Sequence, residues 1–310
     1  MRPNWNGRLV LILTVILLGQ LLYAQEAQES VPSWLLLERG KILYEEQEFG
    51  EALRLFRQIL EKDPINPEPH YWIGRIFEEE GELDLAEKQY RLALDYRREL
   101  YVLEEEYTIR ERLARLYKIR GDYALFEEAL LEIINLDVEF NSPAGIAQQT
   151  ALSRLIANQG LDKVVELYRI DKSPSFIAHA ELGLFYYRTG RYRDAVLHLL
   201  YGGLTVITRS IEYQRIEEPF YEFQGVADLL SIAQEDKENR SYLRETHLEA
   251  LLYYLGASLY AAGEPQVSQE IMQLVRTAFA DTPWSTRALA QLADPFIEPV
   301  ITAEEFFYFF

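Results

Sequence analysis

Residues 36–62 read LLERGKILYEEQEFGEALRLFRQILEK, and residues 70–96 read HYWIGRIFEEEGELDLAEKQYRLALDY. Laid over each other at an offset of 34 residues, Gly40 meets Gly74, Ala52 meets Ala86 and Phe56 meets Tyr90. A fixed period of this length marks a repeat architecture. Apolar residues recur at helical spacing on either side of the polar turns at 47–50 and 81–83, so each unit reads as two helices. The first pair is expected over 36–46 and 51–62, where Asp63-Pro64 stops it; the second is expected over 68–80 and 84–97.

The spacing has a packing explanation. Gly40 and Gly74 lie on the first helix of their pairs, and Ala52 and Ala86 on the second, where the two helices cross. Small side chains there let the backbones approach, and Phe56 or Tyr90 fills the space alongside. One pair leaves an apolar face that only the next pair can cover, so the units stack. Looser echoes follow at Ala114, Tyr117 and Gly121, at Ser153 and Gly160, at Gly183, Tyr186, Gly190 and Ala195, and at Gly256, Tyr260 and Gly263. Asp281-Thr282-Pro283-Trp284 then opens a closing helix over 285–292.

This pattern resembles the tetratricopeptide-repeat (TPR) family. The resemblance is carried by Gly40, Ala52, Phe56 and Pro64 in one unit, and by Gly74, Phe77, Gly81, Ala86, Tyr90 and Ala93 in the next. It is closest over 33–100 and 176–202 and looser over 106–137 and 248–292. It implies an all-α fold, an α-solenoid of about five to six helical pairs, with an inserted helical segment at 203–247 where the rhythm breaks around Pro219. It also implies a concave groove lined by the first helix of each pair, and binding of a protein or peptide in place of catalysis. The Thr282-Pro283-Trp284 junction, with Ala288 and Leu289, is similar to repeat junctions in TPR components of bacterial envelope assembly and cell-wall machinery.

The first residues read as an address. Arg2 and Arg8 precede an apolar run from Leu9 to Leu22, and Leu-Tyr-Ala at 22–24 precedes polar sequence, the pattern of a secretory signal peptide cleaved after Ala24. The run is short for a membrane span, although an uncleaved anchor is the alternative. Removing 1–24 leaves 29 basic and 50 acidic residues, a formal charge of −21 against −19 for the whole chain. That balance argues against nucleic acid and against electrostatic docking on anionic lipid, since both need a clustered basic surface. The chain has no cysteine, which excludes disulfides, thiolate metal sites, cysteine nucleophiles and lipid attachment at an N-terminal cysteine.

Helical spacing assigns the groove. One residue beyond each small crossing residue stand Lys41, Arg75 and Arg115, a basic ladder in an acidic chain. Tyr44, Glu78 and Lys118 lie one turn further on, with Trp34, Leu37 and Tyr71 as neighbouring anchors. In the C-terminal half the equivalent positions are Leu184, Tyr187, Ala257 and Tyr260, an apolar and aromatic face. The expected ligand is an acidic or carboxylate-bearing segment toward the N-terminal end and an apolar one toward the C-terminal end. Local neutralisation of Glu45, Glu78 and Glu79 is the competing account of the ladder. Some TPR domains clamp a terminal carboxylate with paired Lys and Asn. Leu37 stands here where the first clamp lysine would fall, and Lys41 where the Asn would, which argues against a chaperone-tail receptor.

Chemistry is sparse elsewhere. His70, His179, His198 and His247 have no metal-ligand spacing, and there is no nucleophile elbow or phosphate loop, so no catalytic residue, metal or cofactor is assigned. The chain divides into a signal peptide (1–24), a polar linker (25–33), N-terminal repeats (34–137), a degenerate and then a good repeat (138–202), the insertion (203–247), a C-terminal repeat with capping helix (248–295), and an aromatic tail (296–310). The function expected is an exported, periplasmic or envelope-associated scaffold holding a protein or peptide partner, in an envelope assembly or cell-wall complex. A membrane role would come only through an uncleaved anchor or a membrane-protein partner. The alternative is a transport-associated TPR protein that delivers a small ligand to a membrane permease.

Overall fold

A computed structural model of the chain describes residues 31–102, 104–170 and 173–298. The signal peptide expected at 1–24, most of the linker, and the tail from 299 onward lie outside the described residues. Within them the chain is all-α, an α-solenoid fold of TPR-like helix pairs, divided between Glu99 and Leu100 into two compact units.

The first unit holds α1 (Ser33–Glu45), α2 (Phe49–Lys62), α3 (Pro67–Glu79) and α4 (Leu83–Asp95). α1 packs on α2, α3 on α4, and α2 bridges to α3. The reason is visible at the crossings. A Cβ built on Gly40 would lie 2.5 Å from Phe56 Cε1, and one on Gly74 would lie 2.7 Å from Tyr90 Cε1. The rings therefore occupy the volume that a side chain would take, and Ala52, Phe56, Ala86 and Tyr90 are fully buried beside them. Asn66 and Pro67 restart the chain after the first pair: Pro67 needs no amide partner in the first turn, and Asn66 Oδ1 accepts from the Glu68 N–H at 3.2 Å.

The second unit holds α5 (Glu105–Arg120), α6 (Tyr123–Leu136), a short α7 (Val138–Asn141), α8 (Pro143–Leu167), α9 (Phe176–Arg188), α10 (Tyr192–Glu217), α11 (Val226–Glu235), α12 (Lys237–Glu245), α13 (Leu248–Ala261), α14 (Pro265–Ala278) and α15 (Pro283–Ala293). The pairs are α5 with α6, α9 with α10 and α13 with α14. Around Ser153 and Gly160, α8 bends where Gly160 takes a φ of 74°, a conformation open to glycine. α10 runs without a break through 203 to Glu217, because Leu204, Ile207 and Ile211 keep burying one face at helical spacing and Val206 is buried on another. The segment 203–217 is therefore a prolonged second helix of its pair, and α11 and α12 follow it. α9 is buried continuously from Ala178 to Arg188 and α13 from Ala250 to Leu259, since neighbours cover both helices on several sides.

Candidate functional site

In the first unit, the first helices of the two pairs bring Lys41, Tyr44, Tyr71, Trp72 and Arg75 together. The 34-residue period puts Lys41 and Arg75 at equivalent positions, and stacking α1 beside α3 makes them neighbours across the Trp72 ring. Lys41 Nζ lies 5.9 Å from the centre of that ring, and so does the Arg75 guanidinium carbon. Arg75 donates to the Tyr44 hydroxyl at 2.8 Å and to the Tyr71 hydroxyl at 3.2 Å, and sits 5.1 Å from the Tyr44 ring centre. Its Nε is buried with no hydrogen-bond partner among the described residues. The Tyr44 hydroxyl donates to Glu79 at 3.2 Å, and burial leads the causes that raise its pKa. Lys41 is bonded to Glu38 at 3.0 Å and lies 3.8 Å from Glu68. The arrangement is a cation–aromatic surface, with two positive heads over one indole. Trp34, on the same helix as Lys41, is 66% exposed. Trp72 belongs to the site although the sequence reading passed over it. Its signal was its position one residue after Tyr71.

Arg115 lies in the second unit, on α5. It lines a cavity of about 340 Å³ with Glu111, Arg112, Lys118, Phe126 and Glu181. Lys118 is buried and donates to both Glu181 oxygens, at 3.0 and 2.8 Å. Burial pushes Glu111 up to about 7 against the pull of Arg112. Tyr187 and Tyr260 do not line an open groove. Tyr187 is 2% exposed, and Tyr260 donates to the Pro295 carbonyl at 3.3 Å. Their place on the first helices follows the repeat, but the chain after α15 folds over them.

His70, His179 and His198 make side-chain hydrogen bonds. His70 Nδ1 pairs with Gln89 Oε1 at 2.8 Å. His179 and His198 face each other with their Nδ1 atoms 2.8 Å apart, between Phe140, Tyr186 and Tyr201. That bond needs one ring protonated at Nδ1 and the other at Nε2, and a further proton sets two donors face to face. Burial holds both below the usual imidazole range, His179 with help from His198, and His198 down to about 4. A lowered folded-state value means that the unfolded chain takes the proton first as pH falls. Stability present above about pH 6.5 is then lost toward pH 4, on the order of 3 kcal/mol for His198 alone. Urea melts at pH 7 and pH 4.5 should show a larger drop for the native chain than for His198→Gln. Equal drops would refute the assignment.

Among the described residues no group of three or more His, Asp or Glu is placed to hold a metal ion, and no helix is long and apolar enough to cross a membrane.

Residues 37–99 match the family "Tetratricopeptide repeat". An uncharacterised protein of Borreliella burgdorferi is 21% identical over 264 residues, spanning 76% of this chain and 80% of its own length. An uncharacterised protein of Treponema pallidum is 25% identical over 184 residues, 58% of this chain and 49% of its own. Among solved structures, YrrB, described as a TPR protein with an unusual peptide-binding site, is similar at 13% identity with a TM-score of 0.45, over 86% of this chain and 95% of that one. The tetratricopeptide-repeat match thus covers residues 37–99, and the described residues form an all-α array of helix pairs.

Proposed function

We infer that the protein is an exported scaffold that holds a protein or peptide partner on the first-helix face of its repeats, within an envelope assembly or cell-wall complex. The observation that carries this reading is the Lys41–Trp72–Arg75 surface. Two cations and three aromatic rings converge there on neighbouring first helices, and Trp34 on the first of these helices is exposed. Aromatic and arginine side chains are the groups on which interface energy concentrates. The positive heads suit an acidic segment of the partner. The export half of the reading is supported by the Arg2–Ala24 pattern alone.

Cross-linking the tagged protein in its native envelope, with capture and mass spectrometry, tests both halves. A mature chain beginning at Gln25 and a dominant cross-linked partner would support the reading. A full-length chain in the cytosol would sink the export half. Lys41→Glu combined with Arg75→Gln should weaken capture at least tenfold and flatten its salt dependence, with the fold checked by thermal unfolding. Unchanged capture would return these cations to local neutralisation. A second reading, delivery of a small ligand to a membrane permease, draws on the cavity of about 340 Å³ lined by Arg112 and Arg115. A reproducible small molecule in native mass spectra would favour it.

A further inference from the structure

After α15 the chain leaves the helix at Asp294 and crosses the first helices of the second unit as a non-helical segment, Pro295–Glu298. Its contacts are those of a bound peptide. The Gln291 side-chain amide donates to the Phe296 carbonyl at 2.9 Å and accepts the Phe296 N–H at 3.1 Å. Tyr260 donates to the Pro295 carbonyl at 3.3 Å, and the Glu298 N–H donates to the Tyr187 hydroxyl at 3.4 Å. Four contacts therefore read main chain, which any extended segment could offer. Phe296 at 43% and Ile297 at 48% exposure are only partly covered, unlike the side chains of a core element.

One side chain is read, and it is a carboxylate. Glu298 is buried and accepts from Arg188 at 2.9 Å, from the Tyr253 hydroxyl at 2.7 Å and from Arg287. Arg287 is itself held 4.8 Å from the Tyr253 and Trp284 ring centres. Arg188 is buried, and Arg287 is half-buried against the aromatic rings; a buried guanidinium is costly to leave without an anion, and planar guanidinium matches a carboxylate in shape as well as charge. Water alone is a poor substitute for Glu298, whereas another glutamate is a full one. The residues that do this sit on α9, α13 and α15, the helices that would line a groove in this unit.

We propose that this face is a binding site for an extended, glutamate-bearing peptide, and that Pro295–Glu298 is its resident ligand, displaced when a partner offers the same chemistry. The proposal rests on the reading of the repeats as peptide-binding, and adds to it a site, a ligand class and an intramolecular competitor. It separates Tyr187 and Tyr260 from the open Lys41–Arg75 surface, because their partner must first remove the chain's own segment.

The probe is a dye-labelled peptide of residues 293–298, Ala-Asp-Pro-Phe-Ile-Glu, with an amidated end so that its terminus brings no carboxylate. Against the full chain, Glu298→Gln should bind it at least tenfold more tightly than the native protein, and adding Arg188→Gln should abolish the gain. The same peptide with Gln in place of its Glu should bind at least tenfold more weakly. Amide hydrogen exchange on the native chain gives an answer even if Glu298→Gln fails to fold. The Phe296 and Glu298 amides should open well below global unfolding and exchange faster when the peptide is added. Exchange only through global unfolding, unaffected by millimolar peptide, would make the segment a permanent clasp and overturn the proposal. Loss of partner capture in the Lys41 and Arg75 variant with peptide binding intact would locate the partner on the first unit. Absent peptide binding with capture intact would remove this inference alone.

Discussion

Glu181→Ala is expected to destabilise the second unit by about 3–5 kcal/mol, the cost of leaving a buried charge without its partner. Lys118 on α5 is 6% exposed and Glu181 on α9 is 7% exposed, so removing one head leaves the other largely screened from solvent. Burial raises the Glu181 pKa, Lys118 opposes it by charge and hydrogen bond, and burial wins. The intact pair therefore offsets a desolvation penalty and adds little of its own. It follows that Lys118→Met combined with Glu181→Leu should lie within about 2 kcal/mol of the native chain, although two interacting residues are lost. The Phe126 ring, 5.9 Å from the ammonium, provides an apolar wall for such a replacement. Urea unfolding of the three proteins checks this. A double variant as damaged as the single one would mean that the pair contributes net stability.

Phe56→Ala should cost the first unit about 3–5 kcal/mol through lost burial and the cavity left behind. The ring is fully buried, stacks on Trp72 at 6.3 Å between centres, and fills the place where Gly40 has no Cβ. The same contact predicts coupling. Gly40→Ala would set a methyl group 2.5 Å from the native ring and should be costly on its own, yet mild in the Phe56→Ala background. Thermal melts of the four proteins measure the coupling. Simple additivity would mean that the helices do not cross at Gly40.

These residues also show how far local sequence reaches. The offset between Gly40 and Gly74 was enough to locate both helix pairs, since a close crossing needs a small residue opposite a bulky one and leaves that mark at a fixed period. Lys41 and Arg75 could be placed on one face for the same reason, as positions within a period are equivalent. Lys118 was legible as one turn beyond Arg115, but its burial was not, because that depends on which helix packs over it. Glu181 lies 63 residues away. In the sequence the rhythm breaks at 203, whereas buried Leu204, Val206 and Ile207 carry α10 to Glu217.

Glu298 marks the other limit. It stands in a non-helical segment with no periodicity, 110 residues from Arg188, and its importance comes from the fold bringing Arg188, Tyr253 and Arg287 to one point. The amino-acid sequence by itself determined the helix pairs and the side of each first helix on which cations and rings lie, because helical period and steric fit at a crossing are local. Only the tertiary structure decided which of those faces stays open and which is filled, because burial and charge pairing are made between residues that no local pattern relates.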